Sequence, residues 1–226
     1  MNYHLKVENN LQSEEITRIF SNVFRKNFDT PGFAVITFTG KMDSKSLRNQ
    51  MVYMKKALSG KCEKAFGYEL DYYWLGRFNQ QTTTKYHRDN APEDSFLMLG
   101  YEPSSIESKL YLADYSKLVQ EKEIPINQYY ELYNPIFTQG ESLLKPYINE
   151  VGEFDKNAHK IVLINNSDLS SQITFGVLHK AEIIRKDLTK DRVINSMMLY
   201  LKSGEVPNKK TIYTETEFVE TDLISR

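Results

Sequence analysis

Asp71-Tyr72-Tyr73-Trp74-Leu75-Gly76-Arg77-Phe78 is the stretch at which the chain changes period. Aromatic and branched residues crowd it, without the three-to-four spacing of a helix face. Further runs of the same character follow at Ser95 to Leu99, Lys160 to Ile164, Phe175 to Ile184 and Val193 to Leu201. Polar or Gly- and Pro-bearing connections separate them, as they separate strands. From Tyr115 to about Tyr147 the pattern is irregular, broken by Pro125, Pro135 and Pro146, which predicts an insertion between strands.

Upstream of Gly67 the pattern is helical. Ile16, Ile19, Phe20, Val23 and Phe24 share one face, with Ser13 as the predicted cap and Glu14-Glu15 in the first turn. Asp29-Thr30-Pro31-Gly32 stops that helix, and Phe33 to Phe38 reads as a strand. A second helix carries Leu47, Met51, Met54 and Leu58 on one face, with Gly60 near its predicted end. Helices first and strands later predict an α+β fold, with N-terminal helices packed on a mainly antiparallel β sandwich. No repeat or low-complexity linker interrupts the chain, so one domain is expected over residues 1–226. Within it, residues 1–66 form a mainly helical elaboration, 67–205 the strand core and 206–226 a C-terminal extension.

Lys and Arg total 29 against 30 Asp and Glu, a formal net charge of −1. That balance gives no electrostatic reason to expect nucleic acid or an anionic membrane as partner. Lys55, Lys56, Lys61 and Lys64 read as a solvated helix end. The single cysteine, Cys62, excludes an internal disulfide and has no base or cation near it in sequence to make it a nucleophile. The start, Met1 to Lys6, lacks the apolar stretch of a signal peptide, and no apolar run approaches membrane-spanning length. A soluble, cytoplasmic protein is expected. The 15 Tyr and 12 Phe suit strands and pocket walls alike.

Tyr86-His87-Arg88-Asp89-Asn90 contains a His-x-Asp pair. On an extended chain, His87 and Asp89 point to one side and Arg88 to the other. An imidazole and a carboxylate so placed can take adjacent positions on one cation. Of the remaining histidines, His4, His159 and His179, only the last lies within a strand-like run, Gly176 to Ile184, and it is the candidate third ligand. His159 reads as an exposed residue before a strand. Two His and one carboxylate on one face of an octahedron leave three positions open, which suits a non-haem iron(II) site. A closed zinc site wants a fourth ligand, usually sulfur, and Cys62 is the only thiol. The plain alternative is a surface His beside the turn-like Asp89-Asn90-Ala91-Pro92, with His179 hydrogen-bonded in a core.

Downstream of His179, Arg192 opens the run Arg192 to Leu201, the predicted last core strand. A His-x-Asp pair, a distal His and a following Arg, in this order and strand context, resemble the Fe(II)/2-oxoglutarate-dependent dioxygenase superfamily. The resemblance spans roughly Tyr72 to Leu201. It implies a double-stranded β-helix, a cupin-like jelly roll, with the metal between its sheets. It implies Fe(II) on His87, Asp89 and His179, and 2-oxoglutarate as cosubstrate with its distal carboxylate on the Arg192 guanidinium. Arg185 is a second candidate for that role, and Asn79 and Tyr86 are candidate hydrogen-bond donors to the cosubstrate. Gln81 to Lys85 stands where many relatives carry a Gly-containing turn, a departure that bears on Asn79.

The implied reaction spends molecular oxygen to oxidise a small-molecule or peptide substrate while 2-oxoglutarate becomes succinate. Asp89 fills the position that related halogenases leave open for chloride, which favours hydroxylation. Two other readings stand beside this one. One is a cupin-like metalloenzyme without the cosubstrate, which keeps the three ligands and does not need Arg192; the plain alternative for Arg192 is a strand-end salt bridge with Asp187 or Asp191. The other is a non-catalytic β-sandwich binding module with incidental His and Asp. Arg88 reads as a surface or sheet-edge residue and Asn165-Asn166 as a turn.

Overall fold

The computed structural model describes residues 3–135, 138–152, 154, 156–203 and 213–225. Its first elements are β1 (His4–Val7), α1 (Ser13–Val23), β2 (Phe33–Phe38), α2 (Ser44–Phe66), β3 (Leu70–Asn79), β4 (Ser95–Tyr101) and β5 (Ser108–Ala113). The insertion then supplies α3 (Tyr115–Glu121), α4 (Ile126–Leu132), α5 (Thr138–Leu144) and a 3-10 turn at Lys145–Tyr147. Last come β6 (Ile148–Val151), β7 (Lys160–Asn165), β8 (Leu178–Ile183), β9 (Val193–Leu201) and α6 (Glu215–Glu220).

The strands form a mixed α+β structure with two sheets. The larger runs β1-β2-β7-β4-β9-β3 and is antiparallel except for the β1/β2 pair; the smaller runs β6-β5-β8 and is antiparallel. One face of the larger sheet, with Ile36, Met98, Leu163 and Leu199, packs on α1 and α2. The opposite face, with Val35, Leu97, Val162 and Ile194, packs on Leu110 and Leu112 of β5. Burial on both faces is why β4, β7 and β9 read as continuous apolar runs rather than alternating ones.

Several boundaries differ from the sequence expectation. The α1 cap is Gln12, not Ser13, and its backbone N–H donates to Glu15 Oε2 at 2.9 Å. Helix α2 does not stop near Gly60. Cys62 continues its buried face, worth more than the ~1 kcal/mol that one mid-helix glycine costs, and the helix ends at Gly67 with φ 80°. At Gly100 a Cβ would lie 2.5 Å from Met51 Sδ, so this glycine lets α2 lie close against β4. Strands β1, β5 and β6 were not legible because each is short and half polar. The irregular insertion folds as helices because Tyr115, Tyr129 and Leu144 bury against Tyr86 and Leu178. Of the expected extension 206–226, residues 206–212 and 226 lie outside the described residues. Helix α6 packs on α2, where Arg48 Nη2 donates to the Val219 carbonyl at 2.9 Å. No described helix is long and apolar enough to cross a membrane.

Arg25, just after α1, ties three distant segments together. Its Nη1 and Nη2 each meet a carboxylate oxygen of Asp114 at 2.6 Å, and its Nε donates to the Phe175 carbonyl at 3.0 Å. Asp114 caps α3, and Phe175 leads into β8. Removing one partner strands a buried charge. Arg25→Ala should lower unfolding free energy by about 3–5 kcal/mol in a urea titration; a loss under about 1 kcal/mol would show the pair to be incidental.

Candidate metal centre

His87 and His179 are direct cross-strand partners. His87 N donates to His179 O at 3.0 Å, and His179 N donates to His87 O at 2.9 Å. Residues that exchange both backbone bonds project their side chains to the same face. The two imidazoles therefore lie side by side, with ring centroids 4.2 Å apart. Asp89, two residues on, joins them: its Oδ1 is 3.4 Å from His87 Nε2 and 3.8 Å from His179 Nε2. One ligand atom from each of the three lies within 4.8 Å of the others, the geometry of a group able to hold one metal ion.

The electrostatics act differently on the three side chains. His179 is driven down to about 4, chiefly by burial and then by His87, against the pull of Asp89, so its imidazole is neutral near pH 7. Burial works against ionised Asp89, but the hydrogen bond from His87 and the neighbouring charges outweigh it and hold its pKa below the usual value. Burial likewise works to lower His87, but the hydrogen bonds to Asp89 and to the Lys85 carbonyl leave its pKa raised. The second of these bonds, Nδ1–H to Lys85 O at 2.7 Å, orients Nε2 toward the site, where it could bind a metal on losing the proton it shares with Asp89. His179 Nδ1 is buried with no hydrogen-bond partner among the described residues.

Two neighbours of the triad do not behave as expected from sequence. Asn165 and Asn166 are not exposed turn residues; both have 0% exposure. Asn166 Oδ1 accepts from Asp89 N at 2.8 Å while its Nδ2 donates to Asp89 O at 3.1 Å and to Ser95 Oγ at 2.9 Å. The side-chain amide thus holds the Asp89 backbone as a neighbouring strand would. Arg88 is not a free surface residue either. It donates to the carbonyls of Asn166, Ala91 and Pro92 at 3.0–3.1 Å and pairs with Asp168 at 3.2 Å. His159, expected exposed, is buried at 9%. No local signal marked Asn166, because its partner lies 77 residues away.

The triad opens into a cavity of about 350 Å³. Trp74, Phe78, Leu97, Leu99 and Leu110 give it apolar walls, and Gln80, Thr84, Asn90 and Ser196 bring polar atoms. Arg192 is 3% exposed, with Nε on Ser108 Oγ at 3.0 Å and Nη1 on Gln80 O at 3.2 Å. Its Nη2 is buried with no hydrogen-bond partner among the described residues. Asp187 pairs with Lys190, and Asp191 accepts from Asn79, so neither neutralises Arg192. The Arg192 guanidinium lies 5.1 Å from the centroid of the Tyr101 ring, which lines both the cavity and the small pocket around Arg192. Burial pushes the Tyr101 hydroxyl up in pKa, and Arg192 offsets part of that rise.

Asn79 and Tyr86 stand outside the triad's cavity. Asn79 Oδ1 accepts from Arg192 N at 3.0 Å, bracing that residue. Tyr86 is buried under the insertion, with the Lys180 ammonium 5.1 Å from its ring, and lines a separate pocket of about 190 Å³ beside His87. Arg185 is exposed, and no contact joins it to the triad. Cys62 is fully buried on the inner face of α2, and burial raises its thiol pKa far above the usual value.

No family model and no curated protein matches the sequence. A solved structure is similar: a Burkholderia xenovorans protein provisionally named an alpha-ketoglutarate dependent 2,4-D dioxygenase. It aligns with 86% of this chain and 92% of its own at a TM-score of 0.43 and 11% identity. At that depth the likeness says nothing about activity.

Asn166 gives the site a direct test. Asn166→Ala removes both bonds that fix the Asp89 backbone and leaves two polar groups unpaired. Cobalt(II) affinity, read from its visible absorption, should fall about 10- to 100-fold with the fold retained; an unchanged affinity would show that Asp89 needs no such support.

Proposed function

We propose that this chain is an Fe(II)- and 2-oxoglutarate-dependent oxygenase, acting as a hydroxylase on a small-molecule or peptide substrate. The observation that carries the reading is the cross-strand pair His87–His179 with Asp89 alongside, three donors converging from one side of an open cavity. Metal–ligand bonds of about 2.1 Å put adjacent donors about 3 Å apart, so the spacings of 3.4 and 3.8 Å close with small side-chain rotations. The donor set, two imidazoles and one carboxylate without sulfur, suits iron(II) with free positions.

The strand order supports a double-stranded β-helix, or jelly roll, formed as one domain. Passing along the chain, β3 lies in the larger sheet, His87 bridges to the smaller, β4 returns to the larger, and β5 and β6 to the smaller. Then β7, β8 and β9 alternate again. Such alternation is how two sheets wind around one interior.

Bound on the triad, iron(II) would activate molecular oxygen together with oxidative decarboxylation of the cosubstrate. The chain's own residues do the rest. Lys85 O fixes the His87 tautomer, burial keeps His179 neutral, and Asn166 and Arg88 hold the loop that carries Asp89. Asp89 occupies the carboxylate position, which suits hydroxylation. Arg192, with its unpartnered buried Nη2, fits the distal carboxylate of 2-oxoglutarate. Asn79 would serve by bracing Arg192, and Tyr86 by seating the strand segment of His87, rather than by contact with the cosubstrate.

A second reading has one observation in its favour. Tyr101 lines the cavity while Arg192, beside its ring, does not, which suits a cupin-like metalloenzyme that uses no 2-oxoglutarate. Iron-dependent formation of succinate from 2-oxoglutarate separates the two. His179→Ala should abolish both metal binding and succinate formation. Arg192→Ala should weaken 2-oxoglutarate binding about 100-fold and leave cobalt(II) affinity within about threefold. Equal weakening of both would remove Arg192 from its assigned place, and substrate turnover without 2-oxoglutarate would favour the second reading.

A further inference from the structure

We infer that the cavity receives an uncharged substrate group that carries a hydrogen-bonding atom on a hydrocarbon frame, and that Ser196 Oγ recognises this atom. The assignment of that ligand as substrate rests on the oxygenase reading. The binding chemistry rests on the cavity itself.

Ser196 lines the cavity, has 0% exposure, and its Oγ has no hydrogen-bond partner among the described residues. It lies on the inner face of β9: Ile194 and Met198, two residues to either side, pack in the core between the sheets, while Met197 and Leu199 face the helices. Ser196 pairs with Leu99 on β4 and with Gly76 on β3. Gly76 brings no side chain of its own into that row, and the rings of Trp74 and Phe78 flank the position instead. A hydroxyl enclosed by Trp74, Leu97 and Leu99 with its hydrogen bond unmade is an unusual arrangement, since buried polar groups are almost always paired. A hydrogen-bonding ligand atom held in the cavity would complete it.

Charge decides what kind of ligand carries that atom. Among the described residues no Lys, Arg or Glu lines the cavity, and the only acid there, Asp89, belongs to the triad. A divalent metal, the Asp89 carboxylate, a dianionic cosubstrate and the Arg192 guanidinium balance to zero formal charge. An anionic or cationic substrate would therefore be desolvated against apolar walls with no counter-charge, at a cost that a neutral group avoids. An ether, alcohol or ketone oxygen on a hydrocarbon frame meets both conditions: apolar surface for Trp74 and the leucines, and one polar atom for Ser196.

The chain contains one tryptophan, and it is Trp74 in the cavity wall, so its fluorescence reports occupancy. The full chain loaded with cobalt(II) and saturating 2-oxoglutarate is titrated with 1-hexanol, 1-chlorohexane, hexanoate and hexylammonium. In the wild type, 1-hexanol should change Trp74 emission at a concentration at least about tenfold below either charged probe. Ser196→Ala should weaken 1-hexanol about five- to tenfold and leave 1-chlorohexane unaffected, with an unchanged cobalt(II) spectrum showing that the site is intact. The inference is overturned if 1-hexanol fails to bind, if hexanoate or hexylammonium binds better, or if Ser196→Ala leaves 1-hexanol binding unaltered. Loss of the oxygenase reading would look different: no 2-oxoglutarate binding or succinate formation, with Ser196-dependent binding of 1-hexanol intact.

Discussion

Two backbone hydrogen bonds between His87 and His179 set the geometry on which the rest of the site depends. Neither residue is guided to the other by its side chain. A cross-strand pair fixes where both Cβ atoms point, and the strand period then brings Asp89 to the same side. A slip of one residue in this register would turn His87 and Asp89 away from His179 together. The register is held by packing on both sides. Leu112 of β5 pairs with His179 from the other flank, while Thr84 and Thr83 hydroxyls accept from Ala181 N and Ile183 N farther along β8.

The segment carrying Asp89 has no neighbouring strand of its own, so side chains stand in for one. Asn166 offers its amide as donor and acceptor to the Asp89 backbone, and Arg88 anchors the same loop through three carbonyls and Asp168. Asn165 does a related task one residue earlier, donating to Val23 O at 2.9 Å and accepting from Ser167 N at 3.0 Å. Both asparagines cap the end of β7, and each satisfies backbone groups that would otherwise be buried without partners. Arg25 with Asp114 secures the stretch that leads into β8.

On the opposite side of the larger sheet a second charged group fixes the strands that form the cavity wall. Glu102, after β4, accepts from Ser44 Oγ, Asn195 Nδ2 and Arg77 Nη2. Burial works against its ionisation, but these partners outweigh it and keep its pKa below the usual value. Arg48 and Arg77 continue the network to the carbonyls of Val219 and Asp222, so the C-terminal segment closes over α2 and β3. Strands β3, β4 and β9, which supply Trp74, Leu97, Leu99 and Ser196, are thereby held in place from outside.

The sequence by itself determined the α+β class, the two N-terminal helices and the strands β2, β3, β4, β7 and β9, because long apolar patterns are set by local spacing. It also determined that His87 and Asp89 share a face, and it singled out His179 and Arg192 by residue type and strand context. The tertiary structure alone decided that His179 stands directly opposite His87, since register between strands separated by the whole insertion has no local code. It alone decided that Asn79 braces Arg192, that Tyr86 lies under the insertion, and that the Tyr101 ring, which lines the cavity, lies against Arg192. The roles of Asn166 and Ser196 belong to it as well. A hydrogen bond made or left unmade depends on which distant atom arrives beside it, and only the closed fold fixes that.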